Sequence, residues 1–225
     1  MTGIVRKPAP GAIGRVRIPV ACRQGLAAAT LGLAAVGACA GGGPLGIDHV
    51  VRYDQSGIWS RSNQEALQYG VIIFEVAGAL WLGNDDEFGH TLWQTIDASV
   101  GSAVVAQVLK TTTGRPRPRS GEGPDAWFKG RGNNSFPSGE VALQASFVTP
   151  IIVNYAARNP WVWALEVLPL YDSVARVKGQ AHWQTDVLAG WALGTVAGYV
   201  ATQYQTPFFV QILPHGLTVG YARKF

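Results

Sequence analysis

Between Thr111 and Pro137 the chain carries Pro116, Pro118, Pro124 and Pro137 together with Gly114, Gly121, Gly123, Gly130 and Gly132. Prolines remove backbone donors and glycines raise the entropy cost of ordering, so no continuous helix forms across such a stretch. A loop of this length inside a compact domain is either functional or disordered. On both sides of it run long apolar segments. Residues 64–82 read as a helix with Glu75 as the one charge in its middle, and 83–87 as a polar connection. Residues 88–110 read as a second helix, with Ala98, Gly101, Ser102 and Ala103 allowing close packing. Beyond the loop, Ser138 opens a third helix through about Ala156, which Pro150 is expected to kink. A fourth covers 160–177, with a kink or break at Pro169, and a fifth covers 182–204. The expected fold is all-α, a bundle of about five core helices. The tail alternates Phe208, Val210 and Ile212, then Leu217, Val219 and Tyr221, around Pro214-His215-Gly216, which suggests a short hairpin.

The 225 residues allow one domain with a sizeable core. With 48% apolar and 14% charged residues, the chain is apolar for a soluble protein yet too charged to consist of membrane spans alone. Glu75, Asp97, Glu166 and Asp172 fall inside the apolar segments, which favours a soluble or peripheral bundle over an integral membrane enzyme. The formal charge of +4 is concentrated in an N-terminal set and a cluster at 110–131, not in a stripe. This excludes a nucleic-acid partner and suits a small anionic ligand. The two cysteines, Cys22 and Cys39, provide neither a disulfide framework nor a zinc site.

The N-terminus reads as an export signal. Arg6, Lys7, Arg15, Arg17 and Arg23 precede an apolar run from Leu26 to about Ala38, shorter than the roughly 20 residues of a membrane span. Two processing routes stay open. Ala38-Cys39-Ala40 fits a small-residue cleavage site, and Val36-Gly37-Ala38-Cys39 fits a lipobox in which Cys39 would be lipidated. An uncleaved anchoring helix is the third reading. The expected organisation is a signal at 1–40, an irregular segment at 41–63, the main helical domain at 64–206 and a tail at 207–225. The product would be exported, periplasmic or membrane-associated in the cell envelope.

Three local patterns carry chemistry. In KTTTGRPRP, Lys110 is followed after six residues by Arg117-Pro118, which puts two cations on a stiff loop. The planar guanidinium donates in pairs and suits phosphate; a solvated basic loop would look the same. In Phe136-Pro137-Ser138-Gly139-Glu140, Ser138 has the character of an N-cap, and a glycine next to free helix N–H groups suits an anion. Ordinary helix capping accounts for it equally. In the third, Arg176 is followed after five residues by His182 and after three more by Asp186. A helical reading puts His182 and Asp186 on one face, where a carboxylate fixes the tautomer and frees the other ring nitrogen. A purely structural hydrogen bond is the alternative.

Together and in this order, the three patterns resemble the signature of the PAP2 superfamily, which includes acid phosphatases, lipid phosphatases and vanadium haloperoxidases. The resemblance covers residues from about 65 to 204. It implies His182 as a nucleophile forming a phosphohistidine and Asp186 as its orienting partner. It implies Lys110, Arg117, Arg176, the Ser138 hydroxyl and the Gly139 amide as the phosphate cradle, with Arg115 nearby but outside the motif. It implies catalysis without a metal or other cofactor, since cations and a helix terminus supply the charge.

Two positions depart from the pattern. Ala175 replaces a serine, and Glu140 stands where the family has its general-acid histidine. A carboxyl can fill that role if protonated, and a bound phosphate dianion would favour the proton, so acidic pH or good leaving groups are expected to suit the enzyme. The expected function is hydrolysis of phosphomonoesters or diphosphates. Candidate substrates are a phosphorylated lipid, an isoprenoid phosphate or a soluble ester, selected by the loop at 119–135. The alternatives are a catalytically weakened phosphate-binding envelope protein, in which Glu140 pairs with an arginine, and a vanadium haloperoxidase.

Overall fold

The structure, a computed structural model, describes residues 42–203 and the backbone of 208–213 and 216–221. The expected signal at 1–40, with Cys22 and Cys39, lies outside the described residues.

Among the described residues five α-helices form the bundle, confirming the all-α architecture. Helix α1, Arg61–Leu82, begins three residues earlier than the sequence pattern suggested, because the Ser60 hydroxyl accepts from the Asn63 amide and caps it. Its buried positions, Gln64, Val71, Glu75 and Ala79, form one stripe. Helix α2, Glu87–Thr113, starts at Asp86, whose carboxylate accepts from the amides of Phe88 and Gly89. It runs three residues past Lys110. The hydroxyls of Thr111, Thr112 and Thr113 fold back onto the carbonyls of Gln107, Val108 and Leu109, and the helix stops only at Gly114 in the left-handed region (φ 49°).

Helix α3, Gly139–Tyr155, passes through Pro150 and contributes Val141, Ala142, Ala145, Phe147, Val148, Ile151 and Ile152 to the interior. The core joins the last four of these to Val71 and Ala79 of α1 and Leu92 and Trp93 of α2. The segment expected as one helix over 160–177 is divided. Pro160–Glu166 is a 3₁₀ turn, and α4 is Val167–Lys178. The break precedes Pro169, which sits in the first turn of α4, where its missing N–H leaves no helical bond unmade. Helix α5 is Gln184–Gln203. It meets α3 along Gly190, Gly194 and Gly198. A Cβ on these residues would lie 2.3 Å from the Ser138 carbonyl oxygen, 2.2 Å from the Ala142 carbonyl oxygen and 2.6 Å from Thr149 Cβ, respectively. The tail residues Phe208–Leu213 (β1) and Gly216–Tyr221 (β2) pair antiparallel, Phe208 opposite Tyr221.

Residues 114–138 are a packed loop with a 3₁₀ turn at Pro118–Ser120. Trp127 lies 4.3 Å over the Arg115 guanidinium and edge-on to Phe136 at 5.3 Å. The amides of Phe128 and Lys129 donate to the carbonyls of Thr113 and Gly114. Because the helices alternate in direction, the start of α1, the end of α2, the start of α3, the end of α4 and the start of α5 gather at the same end of the bundle. A side chain at Gly194 would strike backbone, which cannot move aside. Gly194→Val is therefore expected to lower stability by about 2–3 kcal/mol, read as a fall in the thermal unfolding midpoint.

Candidate active site

Residues 134–138 form the hub of the site. Lys110, near the end of α2, donates from Nζ to the carbonyls of Asn134 (2.9 Å) and Pro137 (2.6 Å). Arg117 donates from Nε to the Asn134 side-chain oxygen at 3.0 Å. His182 donates from Nδ1 to the Ser135 carbonyl at 2.7 Å. The Ser138 amide donates to the Asp186 carbonyl at 2.9 Å. All three sequence patterns thus meet on one five-residue segment.

His182 is not on a helix face shared with Asp186, as the spacing had suggested. It precedes α5, whose N-cap is Trp183. Asp186, at the third position of that helix, reaches back and accepts from the Trp183 amide at 2.9 Å. The His182 Nδ1 to Asp186 Oδ2 separation is 3.7 Å, so the carboxylate lies beside the ring without bonding it. The hydrogen bond goes to the Ser135 carbonyl. A carbonyl only accepts, so Nδ1 carries the proton and Nε2 keeps its lone pair. The Ser135 hydroxyl donates to Asp186 Oδ2 at 2.5 Å, so the carboxylate positions the ring through Ser135. His182 is 3% exposed. Burial, with Arg176 and Lys110 against the pull of Asp186, holds its pKa down to about 4, so the imidazole is neutral over the ordinary pH range. Burial pushes the Asp186 carboxyl up, but His182, Arg115 and the Ser135 hydroxyl outweigh it and leave the group below its usual range.

The cations crowd one another. Burial, then Arg117 and Arg176, brings the Lys110 ammonium down to about 8. Burial and Arg176 bring Arg117 down to about 10. Arg176 is buried at the end of α4, with one amino group 3.0 Å from Gln64 Oε1 and its Nε without a partner. Gly139 opens α3 with no side chain, the nearest neighbour of a built Cβ being Lys110 Cε at 3.7 Å. Ser138 holds the N-cap position, yet its hydroxyl makes no capping bond, is fully buried and has no partner. The sequence reading of this side chain as the cap is corrected: the hydroxyl is unengaged, beside free amides at a helix N-terminus.

Glu140 is the internal counter-ion. Its Oε2 lies 2.7 Å from Arg61 and 3.3 Å from Arg176. Burial raises its pKa, but Arg61, Arg176 and His182 outweigh that and leave it lowered. Arg115 is not part of this cup. It is fully buried and its guanidinium is spent on Asp186, Asp48, Thr185 and the Pro124 carbonyl. Sequence reasoning missed Ser135, Asn134, Arg61, Gln64 and Asp48. Their only signal was proximity to a motif for Ser135 and Asn134, and for the others there was none, since Arg61 stands 79 residues from the acid it pairs with.

A helical bundle with a basic cup around one neutral imidazole is the architecture these observations define. The chain belongs to the PAP2 superfamily, whose profile matches residues 92–209. It is 33% identical over 70 residues to a lipid A 1-phosphatase of Porphyromonas gingivalis, a match covering 31% of this chain and 16% of that protein. It is 27% identical over 73 residues to an undecaprenyl-diphosphatase of Sulfolobus acidocaldarius, covering 32% of this chain and 34% of that protein. The chain therefore aligns to about a third or less of either relative. Among solved structures, LpxE of Aquifex aeolicus superposes with a TM-score of 0.42 at 16% identity, over 68% of this chain and 99% of that one.

The unpartnered Ser138 hydroxyl makes a separable prediction. Ser138→Ala removes a buried group that gains nothing in the free protein, so stability should be unchanged or slightly higher, while any binding of orthophosphate weakens by about three- to tenfold. Thermal unfolding and the orthophosphate dissociation constant from calorimetry, measured on the same preparation, check both halves.

Proposed function

We propose that the protein is a phosphatase that cleaves phosphomonoesters or diphosphates through a phosphohistidine on His182. The observation that carries this reading is the neutral, buried imidazole. Its Nδ1–H is committed to the Ser135 carbonyl, which leaves the Nε2 lone pair for attack, and Lys110 and Arg176 lie close enough to act on its charge. The Nε2 lone pair attacks phosphorus as the bond to the leaving oxygen breaks. The resulting N-phosphorylated ring is cationic, and Asp186 at 3.7 Å offsets that charge. The three cations, the Ser138 hydroxyl and the Gly139 amide hold the non-bridging oxygens. A water then attacks phosphorus, its proton passing to Glu140 as the P–N bond breaks, and phosphate and neutral His182 are restored.

Glu140 is the proton donor to the leaving oxygen in the first half-reaction. In the free protein its lowered pKa keeps it ionised at neutral pH. Bound phosphate competes for Arg61 and Arg176 and adds like charge, and both effects favour the protonated carboxyl. The competing reading is a phosphate-binding envelope protein with weak turnover. It is favoured by the same ion pairs, since two arginines on Glu140 oppose protonation.

A phosphorylated lipid or isoprenoid phosphate is the proposed substrate class, at a membrane surface. Ile73, Phe74 and Trp81 of α1, Val104 and Val108 of α2, and Val196 of α5 are exposed, an apolar surface that suits lipid contact. Among the described residues α1 is the one helix long and apolar enough to cross a membrane, and only 17% of its apolar window is buried. The names of the two relatives point to the same substrate chemistry. The leader at 1–40 supports an envelope location.

Two outcomes test these readings. Full-length protein in detergent micelles should release orthophosphate from a phosphorylated lipid, and His182→Ala should reduce that rate by about 10⁴-fold; equal rates for the two proteins remove the nucleophile. The kcat profile should rise as pH falls below neutral, as Glu140 of the substrate complex gains its proton, while kcat/KM should collapse near 4, where His182 of the free protein becomes charged. Glu140→Gln should cost about 100-fold on an alkyl phosphate and far less on a nitrophenyl ester, whose leaving group needs no proton.

A further inference from the structure

A chain of buried hydrogen bonds runs from the nucleophile out of the family-matched region. The Ser135 carbonyl accepts from His182 Nδ1 at 2.7 Å, and the Ser135 hydroxyl donates to Asp186 Oδ2 at 2.5 Å. Asp186 Oδ1 accepts from Arg115 at 2.6 Å, and the other amino group of Arg115 donates to Asp48 Oδ2, also at 2.6 Å. Thr185 closes the far end. Its amide and hydroxyl donate to Asp48 at 2.8 and 2.6 Å, and the same hydroxyl accepts from Arg115 at 2.8 Å. Asp48 is 1% exposed, and Asp186, Ser135 and Arg115 are fully buried.

Asp48 is tied down by its own backbone and by the residues before it. Its backbone exchanges two hydrogen bonds with Gly42, both 2.9 Å. Gly43, at φ 79°, passes so close that a Cβ would lie 2.1 Å from Asp48 Oδ2, and its amide donates to Asp125 at 2.8 Å. The following residues are strapped across the α4–α5 connection. His49 and Gln184 exchange hydrogen bonds, Gln180 donates to the Val51 carbonyl, and the Asp54 amide donates to the Lys178 carbonyl.

We propose that Asp48 and Arg115 are positioning residues for the nucleophile: the Asp48–Arg115–Asp186–Ser135 chain sets the orientation of the His182 ring, so the strap at 42–54 belongs to the catalytic apparatus. The physical reason lies in Arg115. A guanidinium bonded to Asp186 alone, in a dry interior, would carry a second amino group without an acceptor and could turn toward the anion in the cup. Asp48 takes that group and fixes the plane of the fork. Trp127 at 4.3 Å and Trp183 at 5.6 Å flank the guanidinium. Asp186 is then held on both oxygens, and the Ser135 carbonyl that fixes the imidazole cannot shift. The chain meets the cradle only through the Asp186 backbone carbonyl, which accepts from the Ser138 amide; its side chains bond no side chain of the cradle, so the chain governs the speed of attack more than the affinity for phosphate.

This rests on the phosphatase reading, and the experiment separates the two. Wild type, His182→Ala, Asp48→Asn and Thr185→Val are compared as full-length protein for kcat, KM, inhibition by orthophosphate and thermal unfolding. Asp48→Asn keeps the shape and removes the charge that holds Arg115. It should lower kcat by roughly 10- to 100-fold while the orthophosphate inhibition constant stays within about threefold of wild type. Thr185→Val, nearly isosteric, should fall between the two and provides a folded reporter if Asp48→Asn is unstable. Wild-type kcat in both variants overturns the positioning role. So does loss of phosphate affinity in step with kcat, which would mark general collapse of the cup. A wild type that releases no more phosphate than His182→Ala removes the phosphatase reading, and this inference with it.

Discussion

The bundle end depends on one buried carboxylate. Asp186 accepts hydrogen bonds from Arg115, the Ser135 hydroxyl and the Trp183 amide through its side chain, and from the Ser138 amide through its carbonyl. An unpaired ionised group at full burial would be too costly to retain. Here the charge is matched by a guanidinium and its lone pairs are filled. In satisfying that one group, the fold brings together the start of α5, the loop after α2 and the start of α3. The close contact of Gly190 with the Ser138 carbonyl shows the same junction from the other side: two helix N-termini approach without intervening side chains.

Around this junction the electrostatics are deliberately unbalanced. Arg176 is buried and Lys110 and Arg117 are half-buried beside it; Arg176 and Arg117 depress Lys110, Arg176 depresses Arg117, and Glu140 is the nearby carboxylate that pairs with Arg176. A preorganised positive cup of this kind needs little reorganisation when an anion enters, which is the condition under which fixed charges stabilise a transition state most. Glu140 has a double character in consequence. Paired with Arg61 and Arg176 it is a counter-ion, and in the proposed reaction phosphate displaces it and it becomes the acid. Arg61, from a helix outside the three motifs, would then set how readily that exchange occurs.

The two arginines of the GRPRP segment show how little separation is needed to divide roles. Arg117 keeps one bond, to Asn134, and remains available to the cup. Arg115, two residues earlier, is enclosed by four acceptors and two indole rings. Alternation of side-chain direction along an extended, proline-fixed segment sends one inward to the helix junction and the other toward Asn134.

Local chemistry was legible in the sequence wherever it depended on neighbours along the chain. The apolar segments, the Pro/Gly loop, the glycine-opened α3 and the order of Lys110, Arg117, Ser138, Arg176, His182 and Asp186 all follow from composition and spacing. Helix ends were misjudged where side chains overrode propensity, as at Thr111–Thr113, which continue α2 by bonding back to its carbonyls. What spacing could not reveal was every partnership between distant residues. The bond partner of His182 proved to be a carbonyl 47 residues away, Glu140 is held by Arg61 from 79 residues away, and Asp48 reaches Arg115 across 67. A sequence fixes which groups a segment carries and how its own turns lie. Which of two arginines in one loop is buried, and which acceptor an imidazole finds, is decided only when helices close on one another and each buried charge must be satisfied by whatever the packing brings within reach.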